Sequence, residues 1–597
     1  MQTQILEEQR EERRLARARR TDSVMKYVFL VCAVFSVVAV VGIVLYLLVA
    51  SFPALREIGF FQFLFGSKWF PGGGEYGLLP MIVGTLYTTA GATVFGGVIG
   101  VFGAIYLAKF CPKKLKGIFS QLVSLLAGIP SVLFGLFGML VLVPLLEPAA
   151  GGGNGMGLLA AWLILSVMIL PTVLSISKSN IEAVDESVYD GAVALGCTHS
   201  QAVFKVVVPA AKSGIVTSIV LGVGRAVGET MAIIMVTGGL PRVPSGLFSY
   251  FRTLSVNVVL EMGYAVPGTL HHTALIATGF VLLVFVLLIN VFFNLYKSKG
   301  KRGKREKDAV LIKESRVGKN EPFAFRAKPA LCRGLEIVAN VMFYLSVAFL
   351  FLVVGFILVK GIPHLTFSFL FGKHSPSNIS ILSCFVSTFW LIVLTLVIAV
   401  PIGVLAAVFL VEYTKKKSRL VSVIRTFTET LAGIPSVVFG LFGMILFVPV
   451  FGLSLLSGAF TLVLMVLPTI VRSTEESLMS VPNALREGSL AMGASKVRTI
   501  FKVVLPCAVS GIMTSIILAV GRIVGESAAL IYTSGAVTSV PGSPANPGSS
   551  FAVRVYMLMS EGLYIDEAYA TGAVLLIIVF VLNLASYFTE KKLKKKY

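Results

Sequence analysis

Charge is what this chain has little of. Only 13% of its 597 residues are Asp, Glu, Lys or Arg, against 56% hydrophobic, and the mean hydropathy is +0.90. That leaves too little polar surface to solvate a globule of this size. Its six cysteines, Cys32, Cys111, Cys197, Cys332, Cys384 and Cys507, have no C-x-x-C spacing, so neither a disulfide framework nor a zinc site is expected. Among five histidines, the pair His271-His272 is adjacent. Neighbours on a helix point to different faces, which suits an interfacial position better than a metal site. No G-x-x-x-x-G-K-[ST] run occurs, so the chain does not bind ATP through a P-loop. The glycines from Gly222 to Gly228 follow no strand and lie inside an apolar run, which excludes a dinucleotide fingerprint.

What the chain has is length in apolar runs. Stretches long enough to cross the hydrocarbon layer as helix fall near 24–50, 79–109, 120–145, 157–177, 213–238 and 272–296. They recur near 335–360, 382–411, 424–450, 457–471, 510–535 and 566–588. The reading is an all-α polytopic membrane protein of twelve transmembrane helices, six per half. The first run is too long for a signal peptide and lacks a small-residue cleavage site, so it is expected to stay as an anchor. The basic excess, 51 Lys and Arg over 29 acidic residues, gathers at the N-terminus and in alternate loops, which places both termini in the cytoplasm by the positive-inside rule. The net charge of +22 is then attraction to anionic membrane lipid, and no nucleic-acid partner is expected.

The segment 297–333 holds thirteen Lys or Arg and no apolar periodicity, as a solvated cytoplasmic linker would. It separates a first half, 1–296, from a second, 334–597. An even number of spans per half makes the two repeats parallel, related by an axis along the membrane normal. Parallel halves present equivalent cytoplasmic loops to a two-fold symmetric partner.

The repeat is explicit in residues. Asp190-Gly191-Ala192-x-x-x-Gly196 with Pro209 returns 297 positions later as Glu487-Gly488-Ser489-x-x-x-Gly493 with Pro506. Each word lies in a long loop, 179–212 or 474–510, between the fourth and fifth spans. The acid is expected to open a short helix at its positive end, the small residues to permit close approach, and Gly196 or Gly493 to let the chain bend away. The prolines reset φ at the base of the next span.

Gly224-Arg225-x-x-Gly228-Glu229 likewise returns as Gly521-Arg522-x-x-Gly525-Glu526. The glycines at four-residue spacing read as a helix-packing motif. An arginine near the bilayer centre is disfavoured by about 2.5–3.5 kcal/mol on insertion scales. Two readings offset that. The i, i+4 spacing allows Arg225 with Glu229, and Arg522 with Glu526, to close an internal ion pair; alternatively the four line an aqueous pathway in which Arg meets an oxyanion and Glu balances the empty site. Both halves also carry Ala-Gly-Ile-Pro-Ser-Val-x-Phe-Gly-Leu-Phe-Gly-Met, at Ala127–Met139 and Ala432–Met444. Ser131 and Ser436 then either satisfy a carbonyl freed by the proline or face the path.

The acidic loop words resemble the EAA loop of ABC-importer permeases, and the whole set resembles the permeases of the phosphate-specific ABC importer, the Pst system. The likeness rests on Ala-Gly-Ile-Pro-Ser-Val, on Gly-Arg-x-x-Gly-Glu-Thr/Ser, on the loops, and on Glu75-Tyr76-Gly77-Leu78-Leu79-Pro80. The first half resembles the PstC-type subunit and the second the PstA-type. The second residue of the loop word is usually Ala in that family and is Gly191 and Gly488 here. The resemblance implies a type I ABC-importer permease of a bacterial inner membrane. It implies a dimer of ATP-binding subunits docked on Asp190–Gly196 and Glu487–Gly493, with ATP and Mg on that partner and no cofactor in this chain. It also implies an external phosphate-binding protein, inorganic phosphate as substrate, and the option of a phosphate-signalling regulator. Other readings are a permease for sulfate or molybdate, a secondary transporter of major-facilitator type, and a signalling scaffold.

Overall fold

The computed structural model describes residues 2–151, 153–313, 329–375, 378–414 and 419–594. In the first half the main helices are α1 (Gln2–Ile58), α2 (Leu79–Ile105), α3 (Lys113–Ala127), α4 (Ser131–Phe137), α5 (Leu158–Glu182), α6 (Glu186–Ala194), α7 (Lys212–Gly228), α8 (Leu254–Glu261) and α9 (Leu270–Lys313). The second half gives α10 (Pro329–Gly361), α11 (Leu382–Val408), α12 (Arg419–Ala432), α13 (Ser436–Leu446), α14 (Leu455–Ser480), α15 (Asn483–Ala491), α16 (Leu505–Gly525), α17 (Phe551–Glu561) and α18 (Ile565–Lys594). Among the described residues the strands are a two-residue hairpin, Trp69–Phe70 with Glu75–Tyr76.

Each expected span meets a helix, but not always an unbroken one. Among the described residues nine helices are long and apolar enough to cross a membrane, and two further pairs are bent by 68° and 98° at short breaks. The third span of the first half is a shorter apolar helix, Ser131–Leu146. The basic segment differs from the expected tether: α9 continues as helix through Lys297 to Lys313, and α10 begins at Pro329. Residues 314–328 lie outside the described residues.

The chain folds as two compact units that do not coincide with its halves. One gathers 50–365 and 558–576; the other gathers 1–49, 366–557 and 577–597. In the first unit, α10 packs where the sequence would have put α1. Ala339 and Phe343 are buried against Ala104–Ala108, Val123, Leu174 and Val207, and the Phe343 ring lies 4.7 Å from Tyr106. In the second unit α1 does the same. Phe29 and Ala33 are buried against Ala406–Leu410, Val421, Ile424 and Leu478, the Asp22 carboxylate accepts from the Val497 amide at 3.1 Å, and the hydroxyls of Ser36 and Thr428 meet at 3.3 Å. Each unit thus takes its first span from the other half of the chain. Hydrophobic runs state how many helices there are and not which bundle a helix joins.

Within each unit the second and fourth spans pack closely, because glycine lets backbones approach. A Cβ at Gly100 would lie 2.8 Å from Val173, and at the equivalent Gly403 it would lie 2.6 Å from Ile470.

Candidate functional site

The fourth span carries a proline inside the helix in each half, Pro171 and Pro468. The next residue is a threonine in both. Thr172 Oγ1 accepts from Arg225 Nη1 at 3.3 Å, and Thr469 Oγ1 accepts from Arg522 Nη1 at 3.4 Å. The words Leu170-Pro171-Thr172 and Leu467-Pro468-Thr469 lie 297 positions apart, the spacing that relates the arginines. That repeat was the signal in the sequence for these two residues, which the motif reading passed over.

The expected i, i+4 pairing does not form in the first half. Helix α7 stops at Gly228, and Glu229 is extended, with φ −75 and ψ 136. Glu526 follows the end of α16 in the same way, with φ −78 and ψ 134. Once the helix ends, residues four apart no longer share a face. Among the described residues no ion pair within 4.0 Å joins Arg225 to Glu229. Both glutamates are half-buried, and their carbonyls accept from Ser255 Oγ at 3.0 Å and Ser550 Oγ at 3.4 Å. Glu526 Oε1 also accepts from the Ala529 amide at 3.2 Å, holding the one-turn helix Ala528–Ile531. Nor do Gly224 and Gly521 draw helices together: an added Cβ at Gly521 would meet nothing within 4 Å, and at Gly224 only Asn290 Oδ1 at 3.8 Å.

The third span is broken at its proline in each half. Pro130 and Pro435 are extended, with ψ 139 and 144, and Ser131 and Ser436 become the first residues of new helices. Both serines are half-buried. These helices pack on the one-turn segments that follow the glutamates. A Cβ at Gly135 would lie 2.8 Å from the Met231 carbonyl, and at Gly440 it would lie 2.9 Å from Ala529 Cα. Each half therefore assembles a broken third span, a broken fifth span and a proline-bearing fourth span. Irregular backbone at membrane depth is tolerated where it is buried in protein or lines a water-filled cavity.

The acidic loop words form short helices, α6 and α15. Asp190 and Glu487 are exposed but sit mid-helix, not at its opening. The opening of α6 is taken by Asp185, whose carboxylate accepts from the Ser187 amide at 2.9 Å. That bond and the Ser187 hydroxyl hold Asp185 below its usual range. Gly191 and Gly488 are exposed; Ala192 is buried beside Cys197 and Ala202, and the Ser489 hydroxyl meets Thr499 Oγ1 at 2.9 Å. Gly196 and Gly493 have φ 86 and 79, the left-handed turn that the bend requires. Large apolar side chains stand out at matching positions: Val188, Val193 and Leu195 in one loop, Leu485, Leu490 and Met492 in the other. Leu195 is 80% and Met492 89% exposed.

Each short helix is tied to the end of the second span by different chemistry. In the second half Arg486 pairs with Glu412 at 2.8 Å and donates to the Val481 and Leu478 carbonyls at 2.6 and 2.7 Å. In the first half Tyr189 OH meets His199 Nδ1 at 2.6 Å, and His199 Nε2 lies 3.1 Å from the Lys109 carbonyl.

Residues 96–299 and 399–597 both match the family model for the binding-protein-dependent transport system inner membrane component. The chain belongs to this family. It is a multi-pass permease subunit of an ABC transporter, not an enzyme, and ATP hydrolysis belongs to a separate component. Family membership also disfavours the secondary-transporter reading. This permease is similar to a probable ABC transporter permease protein, YqgH, of Bacillus subtilis, 36% identical over 43% of this chain and 86% of that protein. It is similar too to the phosphate transport system permease protein PstC of Mesorhizobium japonicum, 34% identical over 45% of this chain and 88% of the relative. A PstA homolog of the phosphate transport system in Mycoplasma pneumoniae is 25% identical and spans 88% of both chains.

Proposed function

We propose that this permease moves inorganic phosphate into the cytoplasm as the membrane component of an ATP-driven importer. The observation that carries the reading is that a phosphate-system relative aligns along 88% of the chain, while the residues of each half repeat one arginine-bearing site. Arg225 and Arg522 contact the anion, and Glu229 and Glu526 balance or gate it. Ser131 and Ser436 begin helices beside that segment and line the same path. A guanidinium presents a planar fork of donors suited to an oxyanion, and Thr172, which accepts from one donor of Arg225, leaves others for the substrate.

The partners follow from the family: an ATPase and an external substrate-binding protein. In this reading the ATPase is a dimer of ATP-binding subunits seated on α6 and α15, whose exposed apolar residues fill its two grooves. ATP and Mg belong to that dimer, and this chain needs no cofactor. The binding protein is one for phosphate, both termini of the permease are cytoplasmic, and a phosphate-signalling regulator is a further partner. The contrasting substrates are sulfate and molybdate. Uptake of labelled phosphate and of labelled sulfate, in cells with and without this chain, decides among them: phosphate uptake that is unchanged on deletion sinks the proposal.

A further inference from the structure

One buried arginine lies outside every repeated word of the sequence. Arg554, on α17, is 6% exposed. Among the described residues no carboxylate pairs with its guanidinium and no side-chain hydrogen bond uses it. A buried cation without a partner is strongly unfavourable. Phe551, one turn before Arg554 on α17, packs against Phe385 in the first turn of α11, which brings α17 against the start of that helix. There Cys384, Ser387, Thr388 and Leu391 recur at one-face spacing, and all four are buried. The hydroxyls of Ser387 and Thr388 have no hydrogen-bond partner. The chain entering α17 lies directly on this face: a Cβ at Gly548 would meet Ser387 Oγ at 2.4 Å, and the Phe385 and Phe551 rings are 4.8 Å apart, edge-on.

The first half shows what the same place looks like when its arginine is paired. Helices α2 and α11 are both 27 residues long, so Ser387 corresponds to Gly84 and Thr388 to Thr85. Thr85 Oγ1 donates to the Met81 carbonyl at 2.7 Å and accepts from the Leu254 amide at 3.0 Å. Thr253 and Ser550 cap equivalent helices by accepting from Val256 and Val553 amides at 3.3 Å, so Arg554 stands where Asn257 stands. The first half also supplies an arginine here, Arg252, but that one pairs with Glu261 and donates to Gly239 O at 2.5 Å and Asn257 Oδ1 at 2.8 Å. In the first half the arginine is neutralised and the threonine hydroxyl satisfied, with Asn257 Nδ2 left without a partner. The second half keeps an unpaired cation and two unused hydroxyls.

We propose that Arg554, Ser387 and Thr388 form an anion subsite in the second half that takes a tetrahedral oxyanion. Its existence rests on this geometry; its identity as a phosphate site rests on the function proposed above. The test uses the purified full chain in lipid nanodiscs, with equilibrium binding of labelled inorganic phosphate and, in parallel, labelled sulfate. The wild-type chain binds an oxyanion saturably. Arg554→Gln weakens that binding about tenfold or more, as loss of a charge-assisted contact requires, and the pair Ser387→Ala with Thr388→Val weakens it several-fold. Arg554→Lys, which keeps charge and loses the fork, falls between. Without anion, Arg554→Gln unfolds at or above the wild-type temperature, because an unneutralised charge has gone. Unchanged binding in Arg554→Gln, or a lowered unfolding temperature without anion, overturns the subsite and leaves the importer reading intact. Binding of sulfate alone, lost in Arg554→Gln, supports the subsite and overturns phosphate.

Discussion

Arg225 and Arg522 rest on threonines, and that changes what their removal should do. Had Arg225 been locked to Glu229, replacing both partners by apolar residues would be tolerated, since a buried pair is often no better than its hydrophobic substitute. With Arg225 on Thr172 and Glu229 beyond the helix end, the double replacement Arg225→Leu with Glu229→Leu should leave the chain inserted and folded while phosphate uptake is abolished. The same change at Arg522 and Glu526 should do likewise. Uptake near the wild-type rate, with membrane expression confirmed by blotting, would remove these residues from the path. The arginines were legible because intramembrane charge is conspicuous. Their threonine partners were not, since Thr is common in spans and most hydroxyls here satisfy a carbonyl one turn back, as Thr88 and Thr93 do. Arg554 was hidden for another reason: it has no repeat partner in the aligned sequence to draw notice to it.

At the scale of elements, the sequence located the two acidic loop helices and their bends but not how they begin or what holds them. Asp190 and Glu487 sit mid-helix because Asp185 and Pro482 occupy the N-caps, positions that a motif centred on the acid does not include. Helix α15 is held through Arg486, whose side chain is 14% exposed, and Glu412, at 10%. Breaking such a buried pair costs about 3–5 kcal/mol. Arg486→Ala should therefore lower the thermal unfolding temperature of the purified chain and slow uptake, while Arg486→Lys recovers part of both. At the bends, Gly196→Val and Gly493→Val force a β-branched residue into left-handed backbone, which costs about 1–2 kcal/mol each. Each should impair stimulation of the partner ATPase more than membrane insertion, read as ATP turnover in proteoliposomes. The breaks in the third and fifth spans were half legible. Proline announced an interruption, but a continuous apolar run gives no sign of whether a helix kinks or stops.

For the whole molecule, the apolar runs and two family matches agree with an all-α chain, whose described residues give nine spanning helices, or eleven with the two bent pairs. What periodicity left undetermined was their grouping, since α1 and α10 each complete a unit built mainly from the other half. Cutting the chain within 314–328 and co-expressing the two pieces should therefore yield fragments that co-purify through a tag on either one and still support uptake. Each fragment expressed alone should be degraded or aggregate, because its bundle lacks a first helix and exposes the Phe29-binding or Phe343-binding core. Stable, separately purifiable fragments would contradict the exchange.

That exchange also sets a timetable. During synthesis α1 is made first, yet the residues that bury Phe29 and Ala33 begin near Ala406, so the helix must wait in the bilayer while several hundred residues are translated. In a two-chain permease that wait would end in a search for a second polypeptide. Here both pieces stay on one tether, and the meeting is intramolecular, at an effective concentration set by the connecting chain and not by expression level. Equal supply of the two halves is then a property of the gene product itself.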